Sequence, residues 1–342
     1  MGSLFRDGGL KGRPYLDGWR RVRNAPAIVA GAFVVTLLLA LPLGYAMRGM
    51  LETHLGRSTT ATSVADGIDY DWWQEFTSQT SGIGTTFTPA IIGFAATLDN
   101  ISGVLDGQAE IGPITAALAL WLAVWTFLAG GIIDRYARQR RTRAHGFFAA
   151  SGVYFFRFLR LAALAGVVYW FLFAYVHEWL FADWYVDLTR DMDTERRAFA
   201  VRLTFYLLFG ALLVVTNLIF DYAKIRIVVE DRRSALGGVL AALRFLARHP
   251  GQVFGLYALN ALTFLALAAI WALAAPAPGG AGVALGLTFA AGQLYILARL
   301  LLKLQFVASQ TALFQSRLAH ATYTAAPAAR WPDSPAAETM TP

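Results

Sequence analysis

Six stretches of the chain stay apolar for about 20 residues, the length a helix needs to cross roughly 30 Å of hydrocarbon. They are Ala27–Met47, Pro113–Ile133, Leu161–Phe181, Val201–Phe220, Gly251–Ala275 and Ala281–Leu302. Hydrocarbon offers no hydrogen-bond partner, so a crossing segment pairs its own backbone as a helix or joins a closed barrel. Barrel strands alternate apolar and polar side chains, and these runs do not. The pattern predicts an all-α fold: a polytopic membrane helical bundle of six transmembrane helices. Composition agrees, with 15% charged residues against about 25% in soluble domains. The absence of cysteine excludes disulfides and thiolate metal sites.

The polar segments between the runs set the orientation, because Lys and Arg are held on the cytoplasmic side. Six of the 29 basic residues precede the first run, seven lie in 134–160, six in 221–250 and four from Arg299 onward; the alternate connections hold six. Both termini are therefore expected in the cytoplasm and the protein in a bacterial inner membrane. The charge is spread over four juxtamembrane segments suited to anionic lipid headgroups, which gives no reason to invoke nucleic acid. The first run exceeds a signal-peptide core and reads as a retained anchor.

Self-similarity organises the runs. Asp134 and Arg157-Phe158-Leu159 recur as Asp221 and Arg244-Phe245-Leu246 with identical spacing, and Ala25-Pro26 before the first run echoes His249-Pro250 before the fifth. These echoes suggest three repeated helical hairpins, each preceded by a cytoplasmic amphipathic helix. In 236–247, Leu236, Val239, Leu240, Leu243 and Leu246 recur at helical spacing among arginines, as in a helix lying in the headgroup layer. The third run lacks the matching proline.

The expected organisation is a basic segment over 1–24, a six-helix domain over 25–305, a cytoplasmic helical extension over 306–324 and a disordered tail over 325–342. The outer loop, 49–112, carries acids and the aromatic group Trp72, Trp73 and Phe76, candidate interfacial anchors. From Pro89 a second amphipathic pattern (Ile91, Phe94, Ala95, Leu98, Ile101, Leu105) predicts a helix on the outer leaflet.

Chemistry is sparse. The chain has no His-Glu-x-x-His, Gly-x-Ser-x-Gly or P-loop spacing, so no catalytic, cofactor or metal residue is assigned. His177, Glu178, Asp183 and Asp187 form a candidate outer-face cluster, though adjacent helical residues point about 100° apart and make poor co-ligands. Polar residues inside membrane helices are functional candidates by default. Asn260 and Gln293 fall at matching depths if the last span ends at Lys303, which predicts a hydrogen bond between them. Asn217 and Asp221 lie four residues apart, with Lys224, Arg226 or Arg299 as candidate partners for the acid. No chain of acids of the kind proton-coupled pumps use runs through the spans. Gly282, Gly286 and Ala290, and Ala162 with Gly166, are small-residue stripes read as helix-packing surfaces within the bundle.

In its Gly130-Gly131 with following basic residues and its Asp221, Glu230 and Arg244-Phe245-Leu246, the region 130–250 resembles a broad group of bacterial six-helix integral membrane proteins. That group includes the membrane domain attached to some glycerophosphodiester phosphodiesterases. The resemblance implies the fold more than an activity, and the Trp-rich first loop departs from it. The expectation is a non-catalytic membrane subunit of an envelope transport or assembly system, with a protein partner in the membrane. Alternatives are an ABC-2-like exporter permease working with a separate cytoplasmic ATPase, and a membrane enzyme acting on lipid.

Overall fold

Proline decides where two helices begin. It lacks the N–H that a first-turn residue leaves unpaired in any case, and Pro26 and Pro250 each open a long helix directly after a short basic one. The computed structural model describes residues 13–56, 58–66, 69–87, 102–107, 114–276 and 282–318. Its helices are α1 (Arg13–Arg23), α2 (Pro26–Leu55), α3 (Ala61–Asp66), α4 (Tyr70–Gln79), α5 (Thr115–Arg138), α6 (Ala144–Thr189), α7 (Glu195–Val229), α8 (Ala235–Arg248), α9 (Pro250–Ala274) and α10 (Val283–Leu318). Among the described residues there is no strand. Six of these helices, α2, α5, α6, α7, α9 and α10, are long and apolar enough to cross a membrane. This is an all-α, multi-pass membrane protein.

The three-part plan is visible in the connectivity. α1 leads through Pro26 into α2, and α8 leads through Pro250 into α9. α6, where no proline intervenes, runs unbroken from its basic start through two π-helical stretches, Leu172–His177 and Trp179–Trp184. The most extensive helix contacts then follow a cyclic rule: the start of α6 packs on α5, α8 on α7, and α1 on α10. Each short amphipathic element thus lies against the return span of the unit before it, with α1 closing the ring onto the last.

Small residues permit these three crossings. A Cβ on Gly131 would stand 2.5 Å from Ser151 Oγ and 2.8 Å from the Phe147 carbonyl oxygen; one on Gly18 would stand 2.8 Å from Ser309 Cβ. Gly238 lies against Ile227 and Ala223 at the third. By contrast, Gly166, Gly286, Gly282, Ala290 and Ala162 are exposed, and a Cβ on any of the three glycines would meet nothing within 4 Å. The expected stripes therefore do not pack helices within this bundle. Spacing alone cannot tell which side of a helix faces a neighbour.

The core lies at the end carrying α1 and α8. Its axis is the last third of α10, where Leu304, Gln305, Ala308, Ser309, Gln310, Thr311 and Phe314 are each no more than 2% exposed. The helix continues past Lys303 as expected, but residues 306–318 are walled in by α1, α7 and α9 rather than extending free of the bundle. Residues 319–324 and the tail 325–342 lie outside the described residues. α8 is amphipathic in a different register from the leucine count: Gly238, Ala241, Ala242, Phe245 and Leu246 are buried, while Leu236, Leu240 and Leu243 face outward.

Buried polar groups tie the ring together. Arg21, 6% exposed, donates to Asp17, to the Tyr136 carbonyl at 2.9 Å and to Gln315 Oε1 at 2.7 Å, linking α1, α5 and α10. Gln315 in turn donates to the Ala137 carbonyl at 3.0 Å, and Arg135 to the Asn24 carbonyl at 2.9 Å. Burial lowers the Arg21 pKa from its ordinary value, and Asp17 opposes that shift.

Two substitutions test the crossing rule. Gly131→Ala forces a Cβ into Ser151 and the Phe147 backbone and is expected to destabilise the protein by about 1–3 kcal/mol. Gly166→Ala meets open space and should leave stability unchanged or raise it by up to about 1 kcal/mol through helix propensity. Thermal unfolding of both variants in detergent checks this, and the reverse order would contradict the packing described.

Candidate functional site

Helical spacing builds a polar site inside the bundle. On α7, Asn217, Asp221 and Lys224 fall at i, i+4 and i+7 and share a face. Lys303 and Gln310 do the same on α10, and Trp121 and Trp125 on α5. Together with α6 these faces enclose a cavity of about 300 Å³. Its apolar wall includes Phe158, Leu161 and Ala165.

The acid in the cavity is fully engaged. Asp221 pairs with Lys224 at 2.7 Å and accepts from Gln310 Nε2 at 3.3 Å and Asn217 Nδ2 at 3.4 Å. Lys224 and Asn217 were thus within the expected set. Arg299 was too, but it is exposed and lies over the Tyr295 ring; Asp221 is held instead by groups one helical turn away and by Gln310.

Lys303 is held differently. Its Nζ lies 3.5 Å from the Trp125 ring centroid and 4.2 Å from that of Trp121. Such contacts are worth about 2 kcal/mol or more when desolvated. Among the described residues no carboxylate comes within 4.0 Å of it. Trp125 is ten residues into the 24-residue α5, about 15 Å from that helix end, so the ammonium sits near the middle of the bundle's length. In the sequence Lys303 stands at the end of the last apolar run and reads as a boundary residue. The signal that could have placed it inside was its seven-residue spacing to Gln310, on a helix that continues to Leu318.

That longer helix also re-pairs Asn260. Its Nδ2 donates to Ser309 Oγ at 3.0 Å and to the Leu256 carbonyl at 3.0 Å, and the partner is not Gln293. Asn260 pairs with a residue at matching depth, measured from Leu318 rather than from Lys303. Asn260 lies ten residues from the start of α9, and its partner lies nine residues from the true end of α10.

At the opposite end the expected outer-face cluster does not assemble. Glu178, Asp183 and Asp187 are exposed, and Asp187 pairs with Arg190 at 3.1 Å. His177 turns inward among Phe173, Phe181 and Phe209. Its Nε2 lies 2.7 Å from the Leu105 carbonyl oxygen, which can only accept, so that nitrogen is the donor. Among the described residues no three His, Asp or Glu side chains gather where they could hold a metal.

His177 is instead half of a clamp on the outer loop. Gly107, at φ +67°, brings its backbone against the imidazole. Beside it, Asp106 accepts from Tyr206, from Ser102 Oγ at 2.8 Å and from Arg202 at 3.4 Å. Of the helix predicted from Pro89, residues 88–101 lie outside the described residues; 102–105 are helical, and the last apolar member, Leu105, packs with Leu172, Leu180, Phe205 and Phe209. The interfacial anchors are also turned inward. Trp72 and Phe76 are 6% and 1% exposed, stacked on each other and set edge-on to Phe87; Trp73 donates to the Phe87 carbonyl at 2.7 Å. They form a small core against His54 of α2, because α4 buries its aromatic face within the loop.

The clamp carries a pH dependence. The hydrogen bond from Tyr206 chiefly holds the Asp106 carboxyl below its ordinary value of 3.8. The depressed value makes its stabilising contribution fully present above that pH and lost as pH falls through the native value. Protection of the amides at residues 102–107, taken as the intrinsic exchange rate at each pH over the observed one, should therefore be high at neutral pH and fall below about pH 4. Asp106→Asn should exchange faster at neutral pH and show a flatter acid response.

Comparison of the chain with protein-family models, with curated proteins and with solved structures finds no match in any of the three.

Proposed function

We propose that this multi-pass membrane protein holds an amphiphile with an anionic group in the cavity between α5, α6, α7 and α10. In this reading it acts as the substrate-handling, non-catalytic membrane subunit of a transport or assembly system of the cell envelope, in the inner membrane with both termini cytoplasmic. The observation that carries the reading is Lys303: an ammonium within the bundle, resting on two indoles without a carboxylate partner among the described residues, at the edge of a cavity. Charges inside membrane helices are costly and mark substrate pathways. A ligand carboxylate or phosphate would supply the missing counter-charge, while Phe158, Leu161 and Ala165 offer its hydrocarbon an apolar wall. The Asp221–Lys224 pair, already neutralised, supports the rim and leaves the net charge of the cavity positive.

Dibromostearate, a fatty acid that quenches nearby tryptophan, tests this with the full chain in phosphatidylcholine nanodiscs. Quenching should saturate, its amplitude should fall in a Trp121→Phe, Trp125→Phe variant, and Lys303→Gln should weaken binding by roughly tenfold or more. Unchanged affinity in Lys303→Gln, or equal binding of the corresponding brominated alcohol, would overturn the reading.

A further inference from the structure

A second cavity, of about 400 Å³, lies at the end of the bundle that carries α1 and α8. Its walls come from α7, α8 and the end of α10, and five arginines line it: Arg226, Arg232, Arg244, Arg248 and Arg317. The neighbouring acid, Glu230, is already committed. Arg226 donates to it at 2.7 Å, and Arg232 contacts it as well. Arg226 is further fixed by the Ala241 carbonyl and by the face of Phe314 at 5.3 Å. Two arginines are thus built into the wall, and one carboxylate offsets them only in part.

The other three face the cavity without a carboxylate within 4.0 Å among the described residues. Arg244 and Arg248 sit four apart on α8, so they share a face. Arg317 reaches in from α10, and its Nε is buried without a hydrogen-bond partner among the described residues. Such a donor is costly to leave unmade. The field is felt by His249 in the same wall, whose pKa is lowered by burial and then by Arg317 and Arg248.

The apolar surroundings say what kind of anion fits. Leu240 lines the cavity and is 56% exposed; Leu236 and Leu243, on the same side of α8, are 63% and 41% exposed. A helix with an arginine-lined inner edge and a leucine-covered outer face lies at the level where phosphate and acyl chain meet. The cavity is also where the membrane helix α9 begins, at Pro250.

We infer that this cavity is a binding site for the phosphate headgroup of an anionic phospholipid. The phosphate is held by Arg244, Arg248 and Arg317, and an acyl chain lies along Leu236, Leu240 and Leu243. The site is separate from the one that Lys303 serves, and neither inference depends on the other. Arginine suits the task because its planar fork donates two parallel hydrogen bonds to one phosphate.

The test uses the full chain purified in a neutral detergent, with cardiolipin, phosphatidylcholine and inorganic pyrophosphate as probes. Binding is read by native mass spectrometry and by the shift in unfolding temperature. Cardiolipin should bind and raise the unfolding temperature, while phosphatidylcholine and pyrophosphate should do neither at the same concentration. Arg244 and Arg248 are exposed, so an Arg244→Gln, Arg248→Gln variant should fold, and it should lose cardiolipin affinity by roughly tenfold or more. Leu240→Asn should weaken cardiolipin binding as well. Undiminished affinity in the double variant would overturn the site. Pyrophosphate binding as tightly as cardiolipin would show a soluble phosphate ligand and overturn the lipid assignment.

Discussion

The structure depends on the close approach of two short basic helices, α1 and α8, and the basic start of α6 to three long apolar helices. Where α1 meets α10, α6 meets α5 and α8 meets α7, Gly18, Gly131 and Gly238 bring one helix against the next. In hydrocarbon there is little hydrophobic force between helices, so contact of this kind and interhelical hydrogen bonds supply most of the association. Here both are concentrated at one end. The cyclic order, each amphipathic element on the preceding return span, makes every unit a partner of its neighbour. That order accounts for the deepest burial lying on α10, the helix on which the ring closes.

Polar residues at that end are structural in part, and their geometry separates the two kinds. Arg21, Gln315, Asn260 and Ser309 are satisfied within the chain and span helix pairs. Removing one such partner leaves a buried group unpaired, at a cost of about 1–3 kcal/mol or more. Lys303 and Arg317 differ: among the described residues one is held by aromatic faces without a carboxylate, and the other has a buried nitrogen without a hydrogen-bond partner. Both lie on α10 and both face a cavity. The same helix that seals the core therefore presents two cations, fourteen residues apart along its length, toward two cavities whose walls α7 also shares.

The opposite end is held by different means. Its helices are broadly exposed, and the outer loop docks through aromatic stacking around His177 and through the hydrogen bonds that converge on Asp106. The π-helical stretches of α6 occur at that docking site. A wider turn there shifts the register of His177 relative to an ideal helix and sets its ring against Phe181 and Gly107.

Apolar run length alone determined the number of spanning helices, because backbone satisfaction in lipid leaves no other option. Pro26 and Pro250 determined two helix starts, because proline lacks a donor. The echo of Asp134 and Arg157 in Asp221 and Arg244 pointed to the hairpin plan, which the connectivity displays. The tertiary structure decided which face of each helix turns inward. Glycine spacing on α10 reads as a packing surface and leucine spacing on α8 as the apolar side of an interfacial helix, and the faces buried in the bundle are Leu304-Ala308-Thr311 and Gly238-Ala241-Phe245. A membrane helix is apolar all round, so its hydrophobic pattern carries no inward direction; only the shapes of its neighbours supply one. For the same reason Lys303 read as the end of a span until α10 was seen to run fifteen residues further, placing that charge beside Trp121 and Trp125.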